Sequence, residues 1–186
     1  MNKHLFTLIL SAATALSVMP CMAQRVNSTG GNSPHETTSA VIGDRRTGCR
    51  VTITYGRPYM KGRNIWGGLV PYGRAWRLGS DEATLLIAQQ PLAFGDTTIP
   101  AGVHTLYMVP QENGPSKLVF SSKLGGWGIP VDTTHDVASV ELKKEKVDAP
   151  VEQLTITVAS ESSGGVIKIS WGDEQFSAPF TVKKEG

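Results

Sequence analysis

Short stretches in which apolar and polar residues alternate recur along most of this chain. Residues 50–55 place Val51, Ile53 and Tyr55 on one face and Thr52 and Thr54 on the other, the period of a half-buried strand. Residues 83–88 are apolar on both faces, which predicts a central strand or one held between layers. Residues 91–94 and 97–99 flank Gly95-Asp96, a hairpin signal. Pro100-Ala101-Gly102 then turns the chain into strands over 103–109 and 117–121. Farther along, Ala138, Val140 and Leu142 alternate with polar neighbours, as do Leu154, Ile156 and Val158, and Ile167, Ile169 and Trp171. Beyond a turn expected at Gly172-Asp173, Phe176, Ala178, Phe180 and Val182 share a face. Pro179 cannot donate to a ladder, so this last strand belongs at an edge or a bulge. Helical periodicity is missing from every window of a dozen residues. Roughly nine or ten short strands of this kind predict an all-β fold, a single antiparallel β-sandwich, with a β-barrel as the alternative.

The first residues stand outside that pattern. Lys3 and His4 precede an uncharged apolar run of 14 residues, 5–18, and Cys21-Met22-Ala23 supplies a small-x-small cleavage pattern. The run is too short to span a bilayer as a helix, which needs roughly 20 residues, so 1–23 reads as a secretory signal peptide. A lipid anchor on Cys21 is the alternative. Residues 24–34 read as a flexible polar lead-in, and 35–183 as the folded domain. Cleavage after Ala23 removes 23 of 186 residues and leaves 163, and it takes only Lys3 from a formal charge of +2. That near-neutral balance excludes the basic excess of a nucleic-acid binder, and the mature chain carries no transmembrane segment. Cys49 is then the only cysteine left, so no internal disulfide forms and packing alone must hold the fold.

One connection is long and chemically dense. Residues 55–84 hold Arg57, Lys61, Arg63, Arg74 and Arg77 together with Tyr59, Trp66, Tyr72 and Trp76, among many glycines. A loop of this length inside a compact domain is often functional. Arginine forks suit carboxylates and phosphates, and exposed aromatics stack on sugars or other planar groups. The candidate ligand-binding residues are therefore Arg57, Lys61, Arg63, Trp66, Tyr72, Trp76 and Arg77. The competing expectation is a folded plug, with the aromatics pinning the loop and the arginines paired to Asp81, Glu82 or carbonyls. Asp81 and Glu82 are weak catalytic candidates, because adjacent residues in an extended segment point to opposite faces. An ion pair with Arg57, Arg63 or Arg77 suits them better than a dyad. His35, His104 and His135 stand at no metal-ligand spacing, so no metal and no cofactor is expected. Nucleophile elbows and phosphate-cradling glycine loops are missing as well.

The run Arg57-Pro58, Lys61-Gly62-Arg63, Leu69-Val70-Pro71-Tyr72-Gly73, Trp76-Arg77 and Glu82-Ala83-Thr84 closely resembles the bacterial secreted family called domain of unknown function 2911. The resemblance continues through Ile99-Pro100-Ala101-Gly102, Val109-Pro110, Trp127-Gly128, residues 152–155 and Trp171. It implies a secreted or periplasmic β-rich domain and brings no activity with it. Where the family usually has Gly-Ala-Asn-Glu-Ala-Thr, this chain has Gly79-Ser80-Asp81-Glu82-Ala83-Thr84, and Val103-His104-Thr105 replaces the usual Thr-Tyr-Ser.

Three functions fit these observations. The first is a ligand-binding or accessory module of the cell envelope, taking an anionic or carbohydrate-like ligand on the basic and aromatic loop. A hydrolase using Glu82 or Asp81 with arginine stabilisers is the second, and a purely structural envelope protein the third.

Overall fold

The computed structural model describes residues 33–162 and 164–183. The expected signal peptide, and nearly all of the lead-in, lie outside them. Nine strands follow in chain order among the described residues: β1 (His35–Ile42), β2 (Cys49–Gly56), β3 (Thr84–Ala88), β4 (Leu92–Phe94), β5 (Thr97–Ile99), β6 (Gly102–Val109), β7 (Ser116–Ser121), β8 (Asp136–Glu161) and β9 (Gly164–Val182). They form a single antiparallel sheet in the order β1-β2-β3-β6-β7-β8-β9-β4-β5. The sheet is open, with β1 and β5 as its edges, so the barrel alternative is set aside. Apart from one 3-10 turn at Thr133–His135, the described residues contain no helix.

The two long strands turn one sheet into a sandwich. β8 pairs with β7 up to Leu142 and with β9 from Lys143 onward. Its two halves therefore belong to different layers, which meet over a shared core. Phe94 of β4 and Phe120 of β7 lie 5.4 Å apart in that core. The Tyr55 hydroxyl of β2 accepts from the Ile156 N–H at 2.7 Å and donates to the Ile156 carbonyl at 3.2 Å.

Periodicity located β2, β4, β5, β6 and β7 within a residue or two of their ends. It divided β8 and β9, however, into short strands that the structure joins. Gly172 does not make a turn. It takes a left-handed φ of +59° where the β8–β9 register slips, between Lys146 and Val151 and again before Thr155. Bulges bend a strand and sharpen its twist, and here they carry the hairpin around the corner. Pro179 lies past the β8 ladder, which reaches Ser177, and before the β4 ladder, which begins at Thr181. Its missing N–H therefore costs no pairing. β3 is central as expected, yet its outer face is open: Ile87 pairs with Val103 across the ladder and both are exposed.

Candidate functional site

The connection between β2 and β3 is ordered from end to end. Its first part runs along β8, where Met60 N–H donates to the Glu152 carbonyl at 2.6 Å and Leu154 N–H to the Pro58 carbonyl at 3.0 Å. Its later part joins β6, with Trp76 and Met108 exchanging both backbone hydrogen bonds at 2.8 Å. A long loop is stable only when its backbone groups find such partners.

The aromatics fill the space beneath it. Trp66 is buried, donates from Nε1 to the Trp171 carbonyl at 2.9 Å and meets Phe176 edge-on at 4.8 Å. Half-buried Trp76 stacks on Trp171 at 5.8 Å. Tyr72 is half-buried too, with the Lys144 ammonium 5.9 Å from its ring centroid. Burial pushes the Tyr72 phenol above its ordinary value, and Glu174, Glu112 and Asp173 add to the shift.

The basic residues diverge. Arg57 pairs with Glu36 of β1 and donates from Nε to the Leu154 carbonyl at 2.9 Å and from Nη2 to Thr155 Oγ1 at 3.0 Å. Arg63 is exposed and folds back onto its own loop, donating to the carbonyls of Met60 and Tyr59. Lys61 and Arg74 are exposed, and neither side chain has a partner among the described residues. The expected pairing of Asp81 and Glu82 with an arginine is not found. Both instead face His35 Nε2, Glu82 at 3.0 Å and Asp81 at 3.7 Å. They converge because residue 81 is not extended: Asp81 has a φ of +62°, a conformation that Asp and Asn tolerate better than most residues.

Arg77 alone among the candidates lines a sizeable cleft, of about 470 Å³. The outer face of β6 and β7 forms its floor, with Thr105, Tyr107 and Ser121. Residues 122–135 form one wall and carry Trp127 and Ile129, which are 58% and 63% exposed. Arg77 and Ala83 form the other. Arg77 Nη1 donates to the carbonyls of Asp81 at 2.9 Å and Trp127 at 3.0 Å, and Nε donates to that of Gly79 at 3.2 Å. One guanidinium thus ties the two walls together. The close approach requires Gly128, whose φ is +68° and where a Cβ would stand 3.1 Å from the Arg77 Cβ.

Charge in the cleft is unevenly compensated. Lys123 donates to Asp132 at 2.6 Å; that contact, with two from Thr134, holds the Asp132 carboxyl well below the usual carboxylate range. The Tyr107 hydroxyl donates to Asp136 at 2.6 Å. Burial first, and then Asp136, raise the phenol well above its ordinary value, so it stays protonated as a fixed donor. Arg77 has no carboxylate in ion-pair range among the described residues, and both Nη2 hydrogens lack a protein partner there.

The chain matches the family described as "Protein of unknown function (DUF2911)" over residues 33–180. It belongs to that family. The match takes in both walls of the cleft and the whole β2–β3 connection. No curated protein and no solved structure matches the chain. No group of three or more metal-ligating side chains occurs among the described residues, and none of their helices is long and apolar enough to cross a membrane.

Periodicity and charge pointed at residues 55–84 and passed over residues 122–135. The overlooked signal was the Gly125-Gly126-Trp127-Gly128-Ile129-Pro130 run between two strands. It is a connection of unusual length with an aromatic at its centre.

Proposed function

We propose that this protein is a ligand-binding or accessory module of the bacterial cell envelope, exported to the periplasm or beyond, with an anionic or carbohydrate-like ligand. Its ligand site is the cleft under Trp127, and the β2–β3 connection is mainly a folded wall of that site. The convergence of Trp127 and Arg77 on one 470 Å³ space carries this reading. Pockets of this size, lined by apolar and aromatic groups with a few placed polar ones, are where small ligands bind. Residues 1–23 support export, either by cleavage after Ala23 or by acylation at Cys21. The hydrolase alternative has less support, since neither Asp81 nor Glu82 lines the cleft and Glu82 is 65% exposed.

The test is binding to a panel of organic anions and glycans. Trp127→Ala is expected to weaken any hit about tenfold by removing an exposed ring, while Arg63→Ala leaves it unchanged. The reverse ranking would place the site on the β2–β3 loop and contradict the proposal.

A further inference from the structure

We infer that the cleft takes an organic anion with a flat apolar body, and not a neutral glycan. This rests on the reading of the cleft as the ligand site. Two observations separate the ligand classes.

The first concerns hydroxyl protons. A sugar is held by many hydrogen bonds, so its site needs side chains with free donors and acceptors. Every floor hydroxyl here already donates within the protein. Thr105 Oγ1 donates to the Lys123 carbonyl at 2.6 Å, Tyr107 to Asp136 at 2.6 Å and Ser121 Oγ to the His135 carbonyl at 3.2 Å. Those oxygens can still accept from a sugar hydroxyl, but the floor offers a polyol's own oxygens no hydroxyl donor in place of the water they would lose, and such losses are costly.

The second concerns charge. The charged side chains lining the cleft are Arg77, Lys123 and Asp132, and Lys123 and Asp132 neutralise each other at 2.6 Å. The remaining charge is the Arg77 guanidinium. Three carbonyls fix it in place, and among the described residues no carboxylate lies in ion-pair range of it. A cation so held needs no reorganisation to receive a carboxylate, and Nη2, which makes no hydrogen bond among the described residues, is left to supply charge-assisted donors. The rest of the lining, from Trp127 through Ile129 and Val131 to Leu106, is apolar. A carboxylate at Arg77 with a planar body against Trp127 matches both halves of the cleft.

Titration calorimetry on the mature full-length chain tests this with cinnamate, its uncharged amide, and neutral xylan and glucan oligosaccharides. Cinnamate is expected to bind and the amide to bind about ten- to a hundredfold more weakly, the value of a charge-assisted hydrogen bond. The comparison uses the unaltered protein, so it does not depend on whether an Arg77 variant keeps the walls together. Trp127→Ala should weaken cinnamate as well. Equal binding of acid and amide, or preference for a neutral oligosaccharide with the same Trp127 dependence, overturns the inference and leaves the cleft reading intact. Absence of Trp127-dependent binding in every arm overturns both.

Discussion

Replacing Arg57 with alanine is expected to destabilise the fold by about 3–5 kcal/mol, the usual cost of removing one partner of a buried ion pair. Arg57 begins the long connection, yet its side chain is only 12% exposed and its partner Glu36 only 6%. The change withdraws the cation from that carboxylate. It also leaves the Leu154 carbonyl and Thr155 Oγ1 without their donor. β1, the loop and β8 come apart at one point. For a domain of this size the melting temperature should fall on the order of 10 °C. Adding Glu36→Gln in the same chain should recover part of the loss, because the carboxylate that loses the Arg57 cation is then neutral. A loss under about 1 kcal/mol, the range of an exposed pair, would return Arg57 to the list of free ligand-binding groups.

Trp66→Ala is expected to cost a similar amount, about 3–5 kcal/mol, as for other buried large aromatics. Trp66 is 5% exposed and packs edge-on against Trp76 and Phe176. Its Nε1 donor joins the β2–β3 connection to β9 at Trp171. Truncation opens a cavity and deprives a buried carbonyl of its donor. Trp66→Phe should cost less, since it keeps most of the packing and loses only the hydrogen bond. Urea denaturation of both variants measures this. Equal stability of Trp66→Ala and the parent would mean that the ring stands free for a ligand.

Much of the fold was legible because alternation reports a single physical fact, burial of one face. Val51, Ile53 and Tyr55 alternate since β2 buries that face, and no other explanation of the spacing competes. Gly172 misled for a physical reason as well. A turn and a bulge both use a glycine at positive φ, so the residue marks an irregularity without saying which kind. Ion-pair partners were illegible because they depend on register. Glu36 stands opposite Tyr55 in the β1–β2 ladder, which brings it within reach of Arg57, and nothing in the local sequence announces that pairing. The candidate site was half legible. Arg77 stands out in the sequence by its charge alone; that it has no carboxylate partner among the described residues is visible only in the three-dimensional arrangement. Trp127-Gly128 contributes to the family resemblance, but its segment has no charge cluster and no alternation that would mark it as part of a site.

The central claim is that a ligand meets Trp127 in the cleft and not the aromatics of the β2–β3 connection. The chain has four tryptophans, at 66, 76, 127 and 171, so their indole N–H resonances report on both places in one NMR titration with cinnamate. The Trp127 signal is expected to move with added ligand while those of Trp66, Trp76 and Trp171 stay in place. Movement of Trp66 and Trp76 with Trp127 stationary would contradict the account.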